Sequence, residues 1–236
     1  MILKENERID DLQINNLKII QNTEGFCFGI DSVIFSDFIK DIKKNSNVID
    51  LGTGTGIISF LALAKYDIKK IIGVEVQEDV ADMVNRSIKL NKLEEKFEVI
   101  NCNIKDLLNY FKRESFDVVV SNPPYKKNNT GGKNENEKKL ISRHEILADI
   151  FDFIKISKNL LKDNGVLYMV HRPERLTDII SGLRLNKLEP KKIRFVYSNR
   201  ESKNAKLVLI KAVKNGGQFL EIENPLYIYD SVRKIF

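Results

Sequence analysis

An amide, two prolines and an aromatic ring stand in a row at Asn122, Pro123, Pro124 and Tyr125, directly behind the run Val118, Val119, Val120 and then Ser121. Such a row has a chemical use. An amino group conjugated to a ring or a carbonyl is planar and a poor nucleophile, and acceptors that take its N–H protons favour the pyramidal form whose lone pair attacks. The Asn122 side-chain oxygen and the Pro123 carbonyl are two such acceptors, and Tyr125 offers a face on which a flat base or amide stacks. The plain structural reading of the same residues is a proline-terminated strand followed by a loop.

A second group is Asp50 with Gly52, Gly54 and Gly56, in SNVIDLGTGTG. A glycine turn between a strand and a helix lets a ligand approach the backbone, and the helix amino terminus behind it favours an anionic group. The spacing is G-x-G-x-G. The dinucleotide fingerprint would need its third glycine at Ile57, and no Gly-Lys-Ser/Thr follows for a Walker loop. Glu75 comes about twenty residues later, at the end of an apolar run, where an acidic side chain accepts hydrogen bonds from ribose hydroxyls.

The elements that must position these groups alternate. Val48–Leu51, Ile71–Val76, Phe97–Ile100, Phe116–Val120 and Val166–Val170 read as buried strands. Helices are predicted over 57–65, 78–91, 146–162 and 175–185, which gives a parallel sheet with right-handed crossovers. Asp163, Asn164 and Gly165 are expected to close the third of these helices. Asp31 and Ser32 are expected to cap an earlier one that carries Val33, Ile34, Phe38 and Ile39. Residues 2–20 read as a small hairpin or edge strand. Ile193–Tyr197 and Leu207–Val213 break the rhythm and predict an antiparallel pair closing one edge. Lys126 to Lys139 contains no apolar residue and reads as a flexible surface loop, spanning 126–140 and rooted at Tyr125.

The chain of 236 residues, 42% hydrophobic and 31% charged, reads as a single domain over 1–236 with an amino-terminal extension at 1–24. The formal charge of +6 permits a polyanionic partner. No stretch reaches the length of a membrane span, and Cys27 and Cys102 are too few for a disulfide framework or a multi-cysteine zinc site. His144 and His171 read as structural or capping residues. No metal site, no membrane association and a cytoplasmic location are expected.

The segments GFCFGIDSV, DLGTGTGII, VEVQ, SNPPY, RHE, VHRPERL and RFVYSNRESKNAKLVL resemble, in that order, the bacterial tRNA adenine-N6 methyltransferases that act on adenosine 37 beside the valine anticodon. The resemblance covers nearly the whole chain. It implies an α/β fold of the Rossmann-like class I methyltransferase type, with a seven-stranded, mostly parallel sheet, an antiparallel last strand and helices on both faces. It implies S-adenosylmethionine as cofactor, with Asp50, Gly52 and Gly54 at its methionine part, Glu75 at its ribose and Asn103 at its adenine, where the family usually has Asp. It places Asn122, Pro123, Pro124 and Tyr125 in the catalytic corner, with Asn122 also bordering the cofactor, and Phe28, Gly29 and Asp31 in a flap beside the cofactor.

The substrate expected on this basis is a tRNA anticodon arm, held by Lys126, Lys127, Arg143 and Arg172, with Lys133, Lys138, Lys139 and Arg175 adding charge. Competing readings are glutamine-N5 methylation of a protein such as a release factor, N-methylation of rRNA, a nicotinamide oxidoreductase, and a non-catalytic RNA-binding module.

Overall fold

The computed structural model describes residues 3–25, 27–125 and 148–229. In chain order its elements are β1 (Glu7–Asp11), β2 (Lys18–Asn22), α1 (Ile30–Phe38), β3 (Asn47–Leu51), α2 (Ile57–Lys65), β4 (Lys70–Glu75), α3 (Glu78–Leu90), β5 (Phe97–Asn101), a 3-10 turn (Ile104–Asn109) and β6 (Phe116–Ser121). They continue with α4 (Ile150–Leu160), β7 (Leu161–His171), α5 (Leu176–Leu185), β8 (Leu188–Tyr197), β9 (Leu207–Lys214), β10 (Glu221–Ile222) and β11 (Leu226–Tyr227). The main sheet runs β10-β8-β9-β7-β6-β3-β4-β5, and β11 also pairs with β8. Strands β3 to β7 are mutually parallel, whereas β9 is antiparallel to both β7 and β8. The seven expected strands are therefore present with the expected antiparallel member. Two short strands, β10 and β11, follow them in the carboxy-terminal segment.

Alternation along the strands builds a core on each face. Val48, Ile71, Val118 and Val120 pack with Phe35, Phe38, Ile58 and Phe60 of α1 and α2 and with Val84 of α3. Ile49, Leu51, Ile72, Val74 and Val119 pack with Phe153 and Ile154 of α4 and with Ile179 and Leu183 of α5. Strands covered on both faces are continuous apolar runs for this reason.

Three local expectations are corrected. Helix α1 begins at Ile30, so Asp31 and Ser32 lie in its first turn, and Gly29 takes the cap position, its carbonyl accepting the Ser32 N–H at 3.1 Å. Helix α4 opens on a reciprocal Asp149–Asp152 capping box, several residues later than expected. It ends at Leu160, because Leu161 already pairs with Phe116 of β6. Asp163, Asn164 and Gly165 then form an irregularity inside β7, with Asn164 at φ 58° and the register resuming at Val118↔Val166.

The predicted hairpin is β1–β2, and it is fastened to α3. Arg86 donates to both oxygens of Glu7 at 2.5 and 2.6 Å, and the Ile20 N–H donates to Ser87 Oγ at 2.9 Å.

Candidate active site

Parallel strands bring their carboxyl ends to one edge, and the sequence-predicted groups gather there. At the end of β3 the chain turns through Gly52 (φ 72°), Gly54 (φ 54°) and Gly56 (φ 79°), a left-handed region that strains any side chain. The latter two glycines serve different ends. A Cβ on Gly54 would meet nothing within 4 Å, which leaves its outer side open to a ligand, while a Cβ on Gly56 would lie 2.9 Å from Val84 Cγ1, so that glycine seats α2 against α3. The Gly52 and Thr53 N–H groups both donate to the Val74 carbonyl at 2.9 Å, which ties the loop to β4.

Two acids stand behind this loop. Asp50 is buried. Its Oδ2 accepts from the Thr53 and Ser59 hydroxyls, each at 2.8 Å, and its Oδ1 has no hydrogen-bond partner among the described residues. Burial pushes its carboxyl up to about 6, helped by the charge of Glu75 and opposed by the two hydroxyls. Glu75 is buried at the end of β4, with Oε2 accepting from Gly54 N–H at 3.0 Å and Oε1 from Gln77 N–H at 2.9 Å. A carboxylate has about four acceptor sites, so each oxygen keeps capacity for a ligand hydroxyl. The Thr55 hydroxyl is also buried without a hydrogen-bond partner among the described residues. Two buried carboxylates, an orphaned acceptor and an open glycine suit a ligand that is cationic at one end and carries hydroxyl donors. S-adenosylmethionine, with its ammonium, sulfonium and ribose, has that character.

Asn103 sits just beyond β5, and its side-chain oxygen accepts the Lys105 N–H at 3.0 Å, capping the 3-10 turn. That bond uses part of the acceptor expected to meet the adenine. Cys102 N–H and the Asn101 side chain both donate to the Glu75 carbonyl, at 3.2 and 2.8 Å, so the end of β5 braces this acid through its backbone.

The amide corner lies on the neighbouring strand, with Ser121 in register with Leu51 of β3 and its hydroxyl donating to the Leu51 carbonyl at 3.2 Å. Asn122 is half-buried, Pro123 buried and Pro124 exposed. Tyr125 is less open than a bare stacking platform. The Arg172 guanidinium carbon lies 5.0 Å from its ring centroid, and the His171 ring meets it at 5.3 Å and 67°. Its hydroxyl is buried and finds no well-formed partner among the described residues. Burial raises the phenol, with Asp31 adding to the shift and Arg172 and Asn122 opposing it. Asp31 of α1 is thus near enough for its charge to act on the tyrosine, a relation the sequence does not signal. Phe28 packs on the core, and its N–H donates to Gln21 Oε1 at 2.9 Å.

His171 is the residue whose importance the sequence hid. It ends β7, is buried, and its Nδ1 accepts the Arg172 N–H at 2.8 Å. Nε2 therefore carries the proton, and the ring also hydrogen-bonds the Pro124 backbone. Burial pulls its pKa down to about 4, with the Arg175 and Arg172 charges adding to the shift and the backbone bonds opposing it. Neutral His171 thus grips the corner from behind.

Arg172 reaches onward, its Nη1 donating to the Lys206 carbonyl at 3.2 Å. Arg175 is instead committed to Asp178 at 2.7 Å. Lys126, Lys127, Lys133, Lys138, Lys139, Arg143, His144 and the loop that carries most of them lie outside the described residues. Among the described residues no group of three or more His, Cys, Asp or Glu could hold a metal ion, and no helix is long and apolar enough to cross a membrane.

Residues 31–183 match the family model described as "Methyltransferase small domain". Among curated proteins, the chain is 30% identical over 147 residues to a tRNA1(Val) (adenine(37)-N6)-methyltransferase of Phocaeicola vulgatus, covering 60% of this chain and 58% of that one. It is 27% identical over 164 residues to a release factor glutamine methyltransferase of Shewanella oneidensis, covering 67% and 53%. The matched region thus spans little more than half of either relative. Among solved structures, one described as a predicted O-methyltransferase from Agrobacterium tumefaciens superimposes with a TM-score of 0.66 at 18% identity, over 84% of this chain and 86% of that one, and so shares the fold.

Proposed function

The chain belongs to the methyltransferase small domain family, and from that premise we propose that it methylates N6 of an adenosine in tRNA, at position 37 beside the anticodon, with S-adenosylmethionine as donor. The carrying observation is the register Leu51↔Ser121, which sets the glycine loop and the Asn-Pro-Pro-Tyr corner side by side on adjacent strands. S-adenosylmethionine, when bound, supplies an electrophilic methyl group on a sulfonium.

Asp50, Gly54 and Glu75 are the groups assigned to hold it, and the rest of the work falls to the amide corner. The Asn122 side-chain oxygen and the Pro123 carbonyl accept the two N6 protons and turn the nitrogen lone pair away from the ring. Tyr125 stacks on the base once the base takes a ring face. The nitrogen is acidic only after its new bond to carbon has formed, so its proton leaves without a strong base in the corner. Placement and hydrogen bonding therefore carry the rate.

A glutamine side chain presents the same planar amino group, and the Shewanella oneidensis relative keeps that substrate as the second reading. The test is methyl incorporation from labelled S-adenosylmethionine into unmodified tRNA and into a release factor. Label recovered from tRNA as N6-methyladenosine is the expected result, and label confined to protein would overturn the assignment.

A further inference from the structure

The strip that holds the two reactive groups does not stop at β7. Beyond it come β9 and β8, whose connecting turn, Ser198 to Lys206, lies at the same edge because Val208 pairs with His171 and Leu207 with Val196. The turn carries Arg200, Lys203 and Lys206 against one acid, Glu201, and all four are exposed. It is held in shape by Asn199, whose Oδ1 accepts from the Glu201 N–H at 3.1 Å and the Ser202 hydroxyl at 2.8 Å. Beside it, Tyr227 of β11 pairs in register with Tyr197 of β8. Their rings lie 5.8 Å apart at 36°, and the Arg200 guanidinium carbon sits 5.2 Å from the Tyr227 centroid. Both tyrosines are only partly buried.

This arrangement repeats the chemistry of the catalytic corner, where Arg172 lies on Tyr125, and the Arg172 bond to the Lys206 carbonyl joins the two. Three strand spacings, roughly 14 Å, separate β6 from β8. A nucleotide extruded at the corner leaves unpaired neighbours within that reach. Aromatic faces topped by arginine and flanked by lysines are what unpaired nucleotides recognise, bases by stacking and phosphates by charge.

We propose that the Ser198–Lys206 turn together with Tyr197 and Tyr227 forms a second RNA subsite, which binds the unpaired nucleotides flanking the target base. It rests on the RNA reading of the active corner and extends it to the neighbouring residues of the same strand. The occupant is single-stranded RNA, because a duplex would present no base faces to the tyrosine pair. A peptide substrate would need neither the ring stack nor the lysines.

The probe is an unmodified tRNA transcript with adenosine at position 37, bound by the full-length protein over a range of salt concentrations. Lys203→Gln/Lys206→Gln changes two exposed side chains and should leave folding and S-adenosylmethionine affinity as in wild type. It should weaken the transcript about tenfold near physiological salt and flatten the log–log salt slope by about 1.4, the value for two contacts on a single strand. Tyr227→Ala should weaken binding by roughly 5- to 100-fold through lost stacking, and Tyr227→Phe should restore it.

Wild-type affinity and slope in the lysine variant, with normal methylation of the transcript by the parent enzyme, would refute the subsite and leave the tRNA assignment standing. Failure of the parent enzyme to bind the transcript, with label entering a release factor instead, would refute both.

Discussion

The two halves of the active edge are built from different materials. The cofactor half, from β3 to β5, is mainly backbone and buried acid: three glycines in the left-handed region, N–H groups that hold Glu75, and Asp50 beneath. The acceptor half, from β6 to β9, is side chain and cation: an amide, a tyrosine met edge-on by a histidine ring and faced by a guanidinium, and an arginine that bridges to the next turn. On the proposed reading, a ligand shared by many reactions is assigned to a preset cradle, and an acceptor peculiar to one enzyme to side chains contributed by several strands, which vary without disturbing the cradle.

The largest expected effect separates the halves directly. On the proposed mechanism Asn122→Ala should cost roughly a hundred- to a thousandfold in turnover, about 2.7–4 kcal/mol, with cofactor affinity largely intact, because its oxygen is assigned chiefly to the incoming amine. Glu75→Ala should do the reverse, weakening S-adenosylmethionine by about 1–3 kcal/mol in calorimetry. If Asn122→Ala lost cofactor binding as severely as turnover, the division of labour would be wrong.

The difference in construction also explains what the sequence disclosed. The glycine loop, Glu75 and the amide corner are local: each function is written within a few consecutive residues, and the strands that carry them are apolar runs that need burial on both faces. Thr53 and Ser59 were overlooked as partners of Asp50, although a hydroxyl three residues after an acid in a turn was a usable sign. The His171–Arg172 grip on Tyr125 had no local sign at all, because it joins segments more than forty residues apart that only the β6–β7 pairing brings together. The end of α4 at Leu160 departs from the expected boundary for a similar reason: pairing of Leu161 with Phe116 outweighs the turn tendency of Asp163, Asn164 and Gly165.

His171 gives the next largest effect, and it tests the acceptor half as a packed unit. Its pKa falls from 6.5 to about 4 on folding, so the unfolded chain binds the proton more readily. The stability due to the neutral ring is full above pH 6.5 and is lost as pH drops towards 4, to the extent of about 3 kcal/mol. Denaturant titrations of the wild type and of His171→Gln at pH 7 and at pH 4 should differ by about that amount in the stability lost between the two pH values. Parallel pH dependences in the two proteins would mean that the ring is not held neutral against Pro124 and Tyr125.

The smallest effect belongs to the cofactor half and carries the opposite sign. Asp50 has its pKa raised from 3.8 to about 6, chiefly by burial, so its contribution to stability is full below pH 3.8 and is lost as pH rises through 6. Above pH 6 the empty protein therefore carries a buried carboxylate with one oxygen unpartnered among the described residues, and a cationic ligand relieves that cost. Binding should pull the Asp50 pKa down and release its proton. At pH 6, where about half the sites are protonated, S-adenosylmethionine should release up to about half a proton, declining towards none by pH 8, and its affinity should rise by up to about tenfold between pH 5 and 7. Calorimetry in two buffers of different ionisation enthalpy measures the released proton, and Asp50→Asn should abolish the release. The stabilisation conferred by saturating cofactor should likewise be larger at pH 7.5 than at pH 5. No proton release at pH 6, with equal stabilisation at both pH values, would show that the orphaned Asp50 oxygen does not face the cofactor and that the cradle is closed by Glu75 and the glycine backbone alone.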